Sequence, residues 1–111
     1  MDEALKASLR AQLVVGNPLV KRLIERGALA AQSERRYRRE GDTVREYQQA
    51  EARMAWTAAA AMVAGDAYGQ VRAVDEVVRK ALYEACRTAI EEQANRWDAI
   101  DAGHAILSAV S

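Results

Sequence analysis

The chain has 111 residues and balances 16 Lys and Arg against 16 Asp and Glu, so its formal net charge is zero. This length favours one domain, residues 1–111, with a modest core, and the neutral balance excludes binding to polyanions through overall charge. The single cysteine, Cys86, excludes an intramolecular disulfide.

Two features of the sequence bear on location. It opens with the acidic Met1-Asp2-Glu3, whereas a secretory signal begins with basic residues. The longest apolar run, residues 58–64, is far shorter than the ~20 residues that a membrane-spanning helix needs. We therefore expect a cytoplasmic protein that does not enter a membrane.

The composition favours helix throughout. Alanine accounts for 24 residues, Phe is absent and there is one Pro. Alanine is the best helix former and fits strands poorly, and its small side chain lets helices approach closely around a thin core. The sequence therefore predicts an all-α fold, a compact bundle of four to five helices. Its first 40 residues are basic and its last 37 acidic, so the two parts should attract each other.

The first two predicted helices are separated by Gly16-Asn17-Pro18. Segment 2–15 places Leu5, Leu9 and Leu13 at helical spacing. Asn17 is a good N-cap and Pro18 a good first helical residue, so the second helix begins at Pro18. Gly27 is a candidate site for a kink. One face of this helix carries Val20, Leu23, Ile24, Gly27 and Ala31.

A third helix begins after Gly41, where Asp42 and the following Arg45-Glu46 resemble a capping box. It should run to about Ala64, before a turn at Gly65-Asp66. One side carries Val44, Tyr47, Met54, Ala58 and Met62, and another side carries Trp56, Ala59, Ala60 and Val63. A helix that is apolar around most of its circumference is usually central, so we expect burial on both sides.

The last region is helical from about Val71 to the end of the sequence. A single helix from Asp75 to Ser111 would be ~55 Å long, whereas a globule of this size has a radius of gyration of ~13 Å. We therefore expect a break in the helix, with Asn95 favoured over Gly103. The alternative is a helix that projects from the bundle and is covered by a second copy.

The stretch "SERRYRRE", residues 33–40, holds four arginines around Tyr37. On a helix, Glu34 pairs with Arg38 and Arg36 with Glu40 at i, i+4 spacing, which leaves Arg35 and Arg39 without local acids. Arg38 falls on the extension of the apolar stripe, where an unpaired charge would be costly. We therefore expect the helix to project, to rotate at Gly27, or to meet acids from another element, for which the acidic C-terminal part is the obvious candidate.

No catalytic or metal site is predicted. The only histidine, His104, follows Asp98 and Asp101 at i, i+3 spacing, but Asp98 and His104 lie ~9 Å apart along a helix axis. The pair Asp101–His104 is therefore interpreted as a surface contact. Cys86 lies on the apolar stripe and is interpreted as a small buried hydrophobic residue. With no paired acid–base groups and no phosphate loop, we expect no enzyme activity, no cofactor and no metal.

The leading hypothesis is a protein-interaction module: an adaptor, inhibitor or assembly subunit, of the kind that phages and mobile elements encode. It would present a rigid helical surface to an acidic protein partner. The polar part of that surface would consist of Arg35, Arg36, Arg38 and Arg39. The alternative is a nucleic-acid-associated subunit that contacts phosphates through residues 35–39, which the neutral net charge and the lack of a base-reading helix disfavour. Homodimerisation is a further alternative.

Overall fold

The computed structural model describes residues 17–69 and 76–110 of the chain. These residues form three helices, α1 (Pro18–Glu40), α2 (Thr43–Gly69) and α3 (Glu76–Val110). The all-α prediction is confirmed for this part of the chain, whereas the predicted count of four to five helices is not. The helix predicted over residues 2–15 and the predicted start near Val71 lie outside the described residues.

The ends of α1 follow the predicted local signals. Asn17 caps the helix, since its side-chain oxygen accepts hydrogen bonds from the backbone N–H groups of Leu19 (3.0 Å) and Val20 (3.4 Å). At the other end Gly41 has a φ of 75°, a left-handed conformation that glycine adopts without steric cost. These two boundaries depend only on neighbouring residues, which explains why the sequence located them correctly.

The start of α2 is capped from one side only. The Asp42 carboxylate accepts a hydrogen bond from the backbone N–H of Arg45 at 3.1 Å, as the capping-box prediction requires. The reciprocal half is not formed, because the backbone N–H of Asp42 donates to the Tyr37 carbonyl at 2.9 Å, while the Glu46 carboxylate accepts a hydrogen bond from Arg38 Nε at 3.1 Å. The end of α1 has therefore replaced part of the local motif.

The predicted end of α2 near Ala64 is wrong, because the helix continues to Gly69. A glycine inside a helix costs about 1 kcal/mol relative to alanine. Packing offsets this cost: Ala64 is buried, and the position of a Cβ at Gly65 lies 3.8 Å from Leu82 Cδ1 on α3. Helix α1 is also not split at Gly27, since it is one helix from Pro18 to Glu40.

The predicted break of the last helix near Asn95 is wrong as well. The helix α3 is continuous over 35 residues, or ~52 Å. Asn95 is exposed, so its helix propensity costs only a fraction of ~1 kcal/mol. The helix is longer than the bundle, and its last part projects from it: residues 99–110 are exposed apart from the half-buried Gly103. We call residues 99–110 the α3 end.

The core between the three helices is built mainly from small side chains, and eight of its 13 buried residues are alanine. Each helix contributes residues at helical spacing. The largest fully buried side chains are Ile90, Val20, Thr57 and Cys86. Burial raises the pKa of the Cys86 thiol to about 12, as expected for a small core residue. A close crossing of α1 and α3 follows from Gly27, because a Cβ there would lie 2.9 Å from Ile90 Cγ1.

Candidate interaction surfaces

The four arginines of residues 35–39 divide into two that bind other helices and two that face solvent. Arg35 donates from Nη1 to Asp98 Oδ2 at 2.6 Å and from Nη2 to Glu91 Oε2 at 2.7 Å. Gln32 Nε2 donates to Asp98 Oδ1 at 2.9 Å and to Asp101 Oδ2 at 3.3 Å. This network joins α1 to α3, so the expected attraction between basic and acidic parts is realised within the chain.

The pKa values in this network are set by a competition between burial and pairing. Burial alone would lower the pKa of Arg35, but hydrogen bonds and charges from Asp98 and Glu91 outweigh it and raise the pKa. Burial alone would raise the pKa of Asp98, but hydrogen bonds from Gln32 and Arg35 outweigh it and lower the pKa. Both groups are therefore held in their charged forms.

A second network joins α1 to α2. The buried Glu34 carboxylate accepts hydrogen bonds from Arg53 Nε at 2.7 Å and from Arg38 Nη2 at 3.2 Å. Arg38 also donates to Glu46. The predicted Glu34–Arg38 pair is confirmed. The acids that meet Arg38 come from α1 and α2, however, whereas the acidic α3 binds Arg35 instead.

The remaining two arginines, Arg36 and Arg39, are exposed and form no ion pair with another described residue. The Arg36 guanidinium lies 4.8 Å from the centre of the Tyr37 ring, and that of Arg45 lies 5.8 Å from it, within the range of cation–π attraction. Arg36 therefore stacks on Tyr37 rather than pairing with Glu40 as predicted. We call Arg36, Arg39 and Arg45 the basic corner, since they flank the turn between α1 and α2.

The apolar side of α2 that carries Val44 and Met62 is exposed, and the expectation that it is buried is wrong. The exposed fractions are 67% for Val44, 65% for Tyr47, 46% for Met54 and 72% for Met62. The buried Thr57, Ala60 and Ala64 lie on another side of the helix, centred roughly 130° away at 100° per residue. We call Val44, Tyr47, Met54, Ala58 and Met62 the outer stripe.

The outer stripe contains one charged position, Glu51, near its middle. A hydrogen bond to the Glu51 carboxylate, followed by the negative charge of that group, raises the pKa of the Tyr47 hydroxyl. Tyr47 and Glu51 are i, i+4 neighbours on the same side of the helix. The stripe therefore presents apolar side chains to solvent, together with the Tyr47 hydroxyl and the neighbouring Glu51 carboxylate.

The α3 end is the second exposed apolar surface. Its large side chains are exposed by 52% at Ile100, 65% at Ile106, 65% at Leu107 and 78% at Val110. The predicted pair of Asp101 with His104 is not formed, because Asp101 accepts a hydrogen bond from Gln32 on α1. The α3 end is therefore held at its base by polar contacts and is uncovered beyond them.

Sequence reasoning found the arginines, but it did not identify these apolar surfaces as exposed. The period of the apolar residues does not distinguish the two apolar sides of α2, although their sizes differ. The residues buried on the inner side are small, and α1 presents Gly27, Ala28 and Ala31, which allow a close approach. Arg45 was missed because its proximity to Tyr37 depends on the turn at Gly41.

Neither a metal-binding cluster nor a membrane-spanning helix is found among the residues that the structure describes. Within residues 17–69 and 76–110, no three His, Cys, Asp or Glu side chains are arranged to hold a metal ion. None of α1, α2 and α3 is long and apolar enough to cross a membrane. The chain was also compared with protein-family models, with curated proteins and with solved structures, and no match was found in any of the three.

Proposed function

We propose that the chain is a protein-interaction module, an adaptor, inhibitor or assembly subunit, that binds its partner through the outer stripe. The observation that carries the proposal is the exposure of Val44, Tyr47, Met54 and Met62 on a side of α2 that faces away from the core. Together they expose apolar area on the order of 500 Å², near the upper limit of what a monomeric soluble protein leaves uncovered. Such patches mark interaction sites.

The shape of the outer stripe suits a partner helix. From Val44 to Met62 the stripe is ~27 Å long at 1.5 Å per residue, and it is straight because it follows one helix. A partner helix that lies along it would place apolar side chains at i, i+3, i+4 and i+7. The two methionines add adaptability, since their unbranched side chains repack around different partners.

The charge of the partner follows from the basic corner. Arg45 lies one residue after Val44, and the guanidinium groups of Arg45 and Arg36 both lie over the Tyr37 ring, so the basic corner adjoins the N-terminal end of the outer stripe. Arg36 and Arg39 form no ion pair with another described residue, and Arg45 has a 3.6 Å contact with Asp42. We therefore infer that the partner is a protein with an apolar helix face and acidic residues towards one end. Rim charges of this kind set association rate and orientation more than affinity.

The phosphate-binding alternative is weaker for a geometric reason. Arg35 and Arg38 are engaged by four carboxylates of the same chain, which leaves Arg36 and Arg39 for phosphates. Two phosphate contacts give a salt slope of only about −2 and little affinity. A mobility-shift titration at ~50 and ~200 mM salt tests it: no shift at the lower salt ends this alternative.

The proposal is tested by affinity capture from the native source, followed by mass spectrometry. The variant Met54→Glu with Met62→Glu places two charges on the outer stripe, and we expect it to reduce partner capture at least tenfold. The control is Leu29→Glu on α1, because Leu29 is 49% exposed, similar to Met54, and lies outside the stripe. Arg39→Glu should weaken capture only a few-fold.

Each variant needs a folding check, since capture also fails when a protein unfolds. All substituted residues are exposed, so we expect melting temperatures within a few degrees of the parent chain. Capture of the same partner by the double outer-stripe variant, at the parent level, would contradict the proposal.

A further inference from the structure

We propose that a second copy of this chain covers the α3 end, through antiparallel pairing of the stripe formed by Ile100, Gly103, Leu107 and Val110. We call these four residues the α3 seam. The inference does not depend on the proposed function, because the α3 seam and the outer stripe lie on different helices.

The α3 seam points away from its own bundle. The buried line of α3 runs through Ile90 and Ala94 to the half-buried Trp97. Continued at 100° per residue, this line passes through Asp101, His104 and Ser108, which are polar. The seam residues lie about 80–160° around the helix from Ile90. Helices α1 and α2 therefore contact α3 on a different side and leave the seam uncovered.

The charge of the α3 end favours a copy of the same chain over an acidic or basic partner. Residues 102–110 contain no Asp, Glu, Lys or Arg, and His104 is their only titratable side chain. An interface with two-fold symmetry brings the same surface together from both subunits, so a charged seam would repel itself. An uncharged apolar seam meets this requirement. It offers no group that would select a charged partner.

The spacing of the α3 seam fits antiparallel pairing. Positions 100, 103, 107 and 110 follow the alternating 3- and 4-residue steps of a coiled-coil seam, and they are symmetric about position 105. In an antiparallel pair, Ile100 lies level with Val110 of the partner subunit, and Gly103 lies level with Leu107 of the partner subunit. A Cβ at Gly103 would meet nothing within 4 Å, so this position has room for the partner's Leu107.

The projection of α3 makes this arrangement sterically feasible. With the pairing centred at position 105, Trp97 of the partner subunit lies three residues beyond Val110, or ~4.5 Å along the axis. Trp97, which packs against the core, therefore lies past the described end of the other copy's helix, whereas Asp101, which accepts a hydrogen bond from Gln32, lies level with position 109 of the partner subunit. Had α3 broken near Asn95, no free segment would exist to pair.

The size of the contact sets its expected strength. Each copy contributes Ile100, Leu107 and Val110, exposed by 52%, 65% and 78%, so these residues bury at most about 650 Å² in the pair, below the size of standard specific interfaces. We therefore expect a weak dimer, with a dissociation constant on the order of 100 µM. Because no charge is involved, raising the salt concentration should not weaken the dimer.

The test is the solution mass of the full chain, measured by sedimentation equilibrium at roughly 1–500 µM, which brackets this affinity. The parent chain should shift from the mass of one copy towards that of two. Leu107→Asp should remain monomeric throughout. The control Ala105→Asp introduces the same charge on the opposite side of the exposed helix, and it should dimerise like the parent chain. Circular dichroism verifies that both variants are folded.

A cross-linking experiment tests the antiparallel geometry. The native Cys86 is buried, so an introduced cysteine is the accessible thiol. A mixture of Gly103→Cys and Leu107→Cys chains should form a disulfide-linked heterodimer under mild oxidation, at a rate at least several-fold above that of either variant alone. Parallel pairing would link each variant to itself.

Four results would overturn the proposal. The parent chain could stay monomeric over the whole range, which would leave the α3 end to another occupant. The Leu107→Asp chain could still dimerise, which would place the contact elsewhere. The Ala105→Asp control could lose the dimer equally, or each cysteine variant could link to itself faster than the mixture does.

Discussion

Helix α3 has two parts in opposite environments: residues 76–97, in which 11 of 22 residues are apolar, and the α3 end, in which 8 of 12 are apolar. In the first part Ala81, Ala85, Ala89 and Ile90 are buried against α1 and α2. In the second part Ile100, Leu107 and Val110 are more than half exposed. The difference teaches that apolar content alone does not decide burial in this chain. An apolar residue of α3 is buried when it lies on the side of the helix that faces α1 and α2.

The largest expected effect comes from shortening an apolar side chain in each part of the helix. We expect Ile90→Ala to lower the free energy of unfolding by about 2–5 kcal/mol, because a fully buried isoleucine leaves a cavity. Leu107→Ala should change it by less than about 0.5 kcal/mol, because the side chain is 65% exposed. Urea unfolding at a concentration too low for self-association measures both values. Equal losses in the two variants would contradict the comparison.

The second effect comes from adding a methyl group at a glycine. Gly27→Ala should lower the free energy of unfolding by about 1–3 kcal/mol, because the new Cβ would lie 2.9 Å from Cγ1 of the fully buried Ile90. Gly103→Ala meets open space and should be neutral, or stabilising by up to about 1 kcal/mol, since alanine favours helix. The two variants should therefore change the free energy of unfolding in opposite directions, or by amounts that differ by at least about 1 kcal/mol. A neutral Gly27→Ala would show that α1 and α3 are further apart than the structure has them.

How much of the fold the sequence could predict depends on the range of the interactions involved. Asn17-Pro18 and Gly41-Asp42 were located correctly because caps are made by neighbouring residues. The sequence did not predict that α2 continues past Gly65 or that α3 continues past Asn95. In α2 the packing at Ala64 and Leu82 overrides a weak local signal for a helix end. In α3 the helix continues past such a signal because it projects into solvent. Packing and projection depend on where the helices lie relative to one another, and local helix propensity carries no information about that.

The same limit applies to the candidate surfaces. The Glu34–Arg38 pair is four residues apart and was predicted, whereas the partners of Arg35 lie 56 and 63 residues away along the chain. The outer stripe was recognised as an apolar side of α2. Its exposure follows from the glycine and alanines of α1, which pack closely against the other, alanine-rich side. Periodicity identifies the sides of a helix, but it does not show which side meets a neighbour.

The smallest expected effect comes from the ion pairs of Arg35, which join α1 to α3 just before the α3 end. Arg35→Ala should lower the free energy of unfolding by about 1 kcal/mol at neutral pH, because it leaves Glu91 and Asp98 without their cation. The control Arg39→Ala should have a smaller effect, since Arg39 forms no ion pair with a described residue and acts on Asp98 through its charge alone. This contrast is the reason that Arg35 and Arg39 should not be replaced together when partner binding is tested.

The pH dependence of this effect separates an ion pair from simple packing of the arginine side chain. The folded-state pKa of Asp98 lies below its ordinary value, because hydrogen bonds from Gln32 and Arg35 outweigh its burial. A carboxylate with a lowered pKa contributes stability above its unfolded pKa of ~3.9, and that stability is lost as the pH falls through the folded value. The difference between the parent chain and Arg35→Ala should therefore be constant from about pH 5 to 7 and shrink below about pH 4. A difference that stays the same from pH 7 to pH 3 in urea unfolding would assign the effect to packing of the Arg35 stem instead.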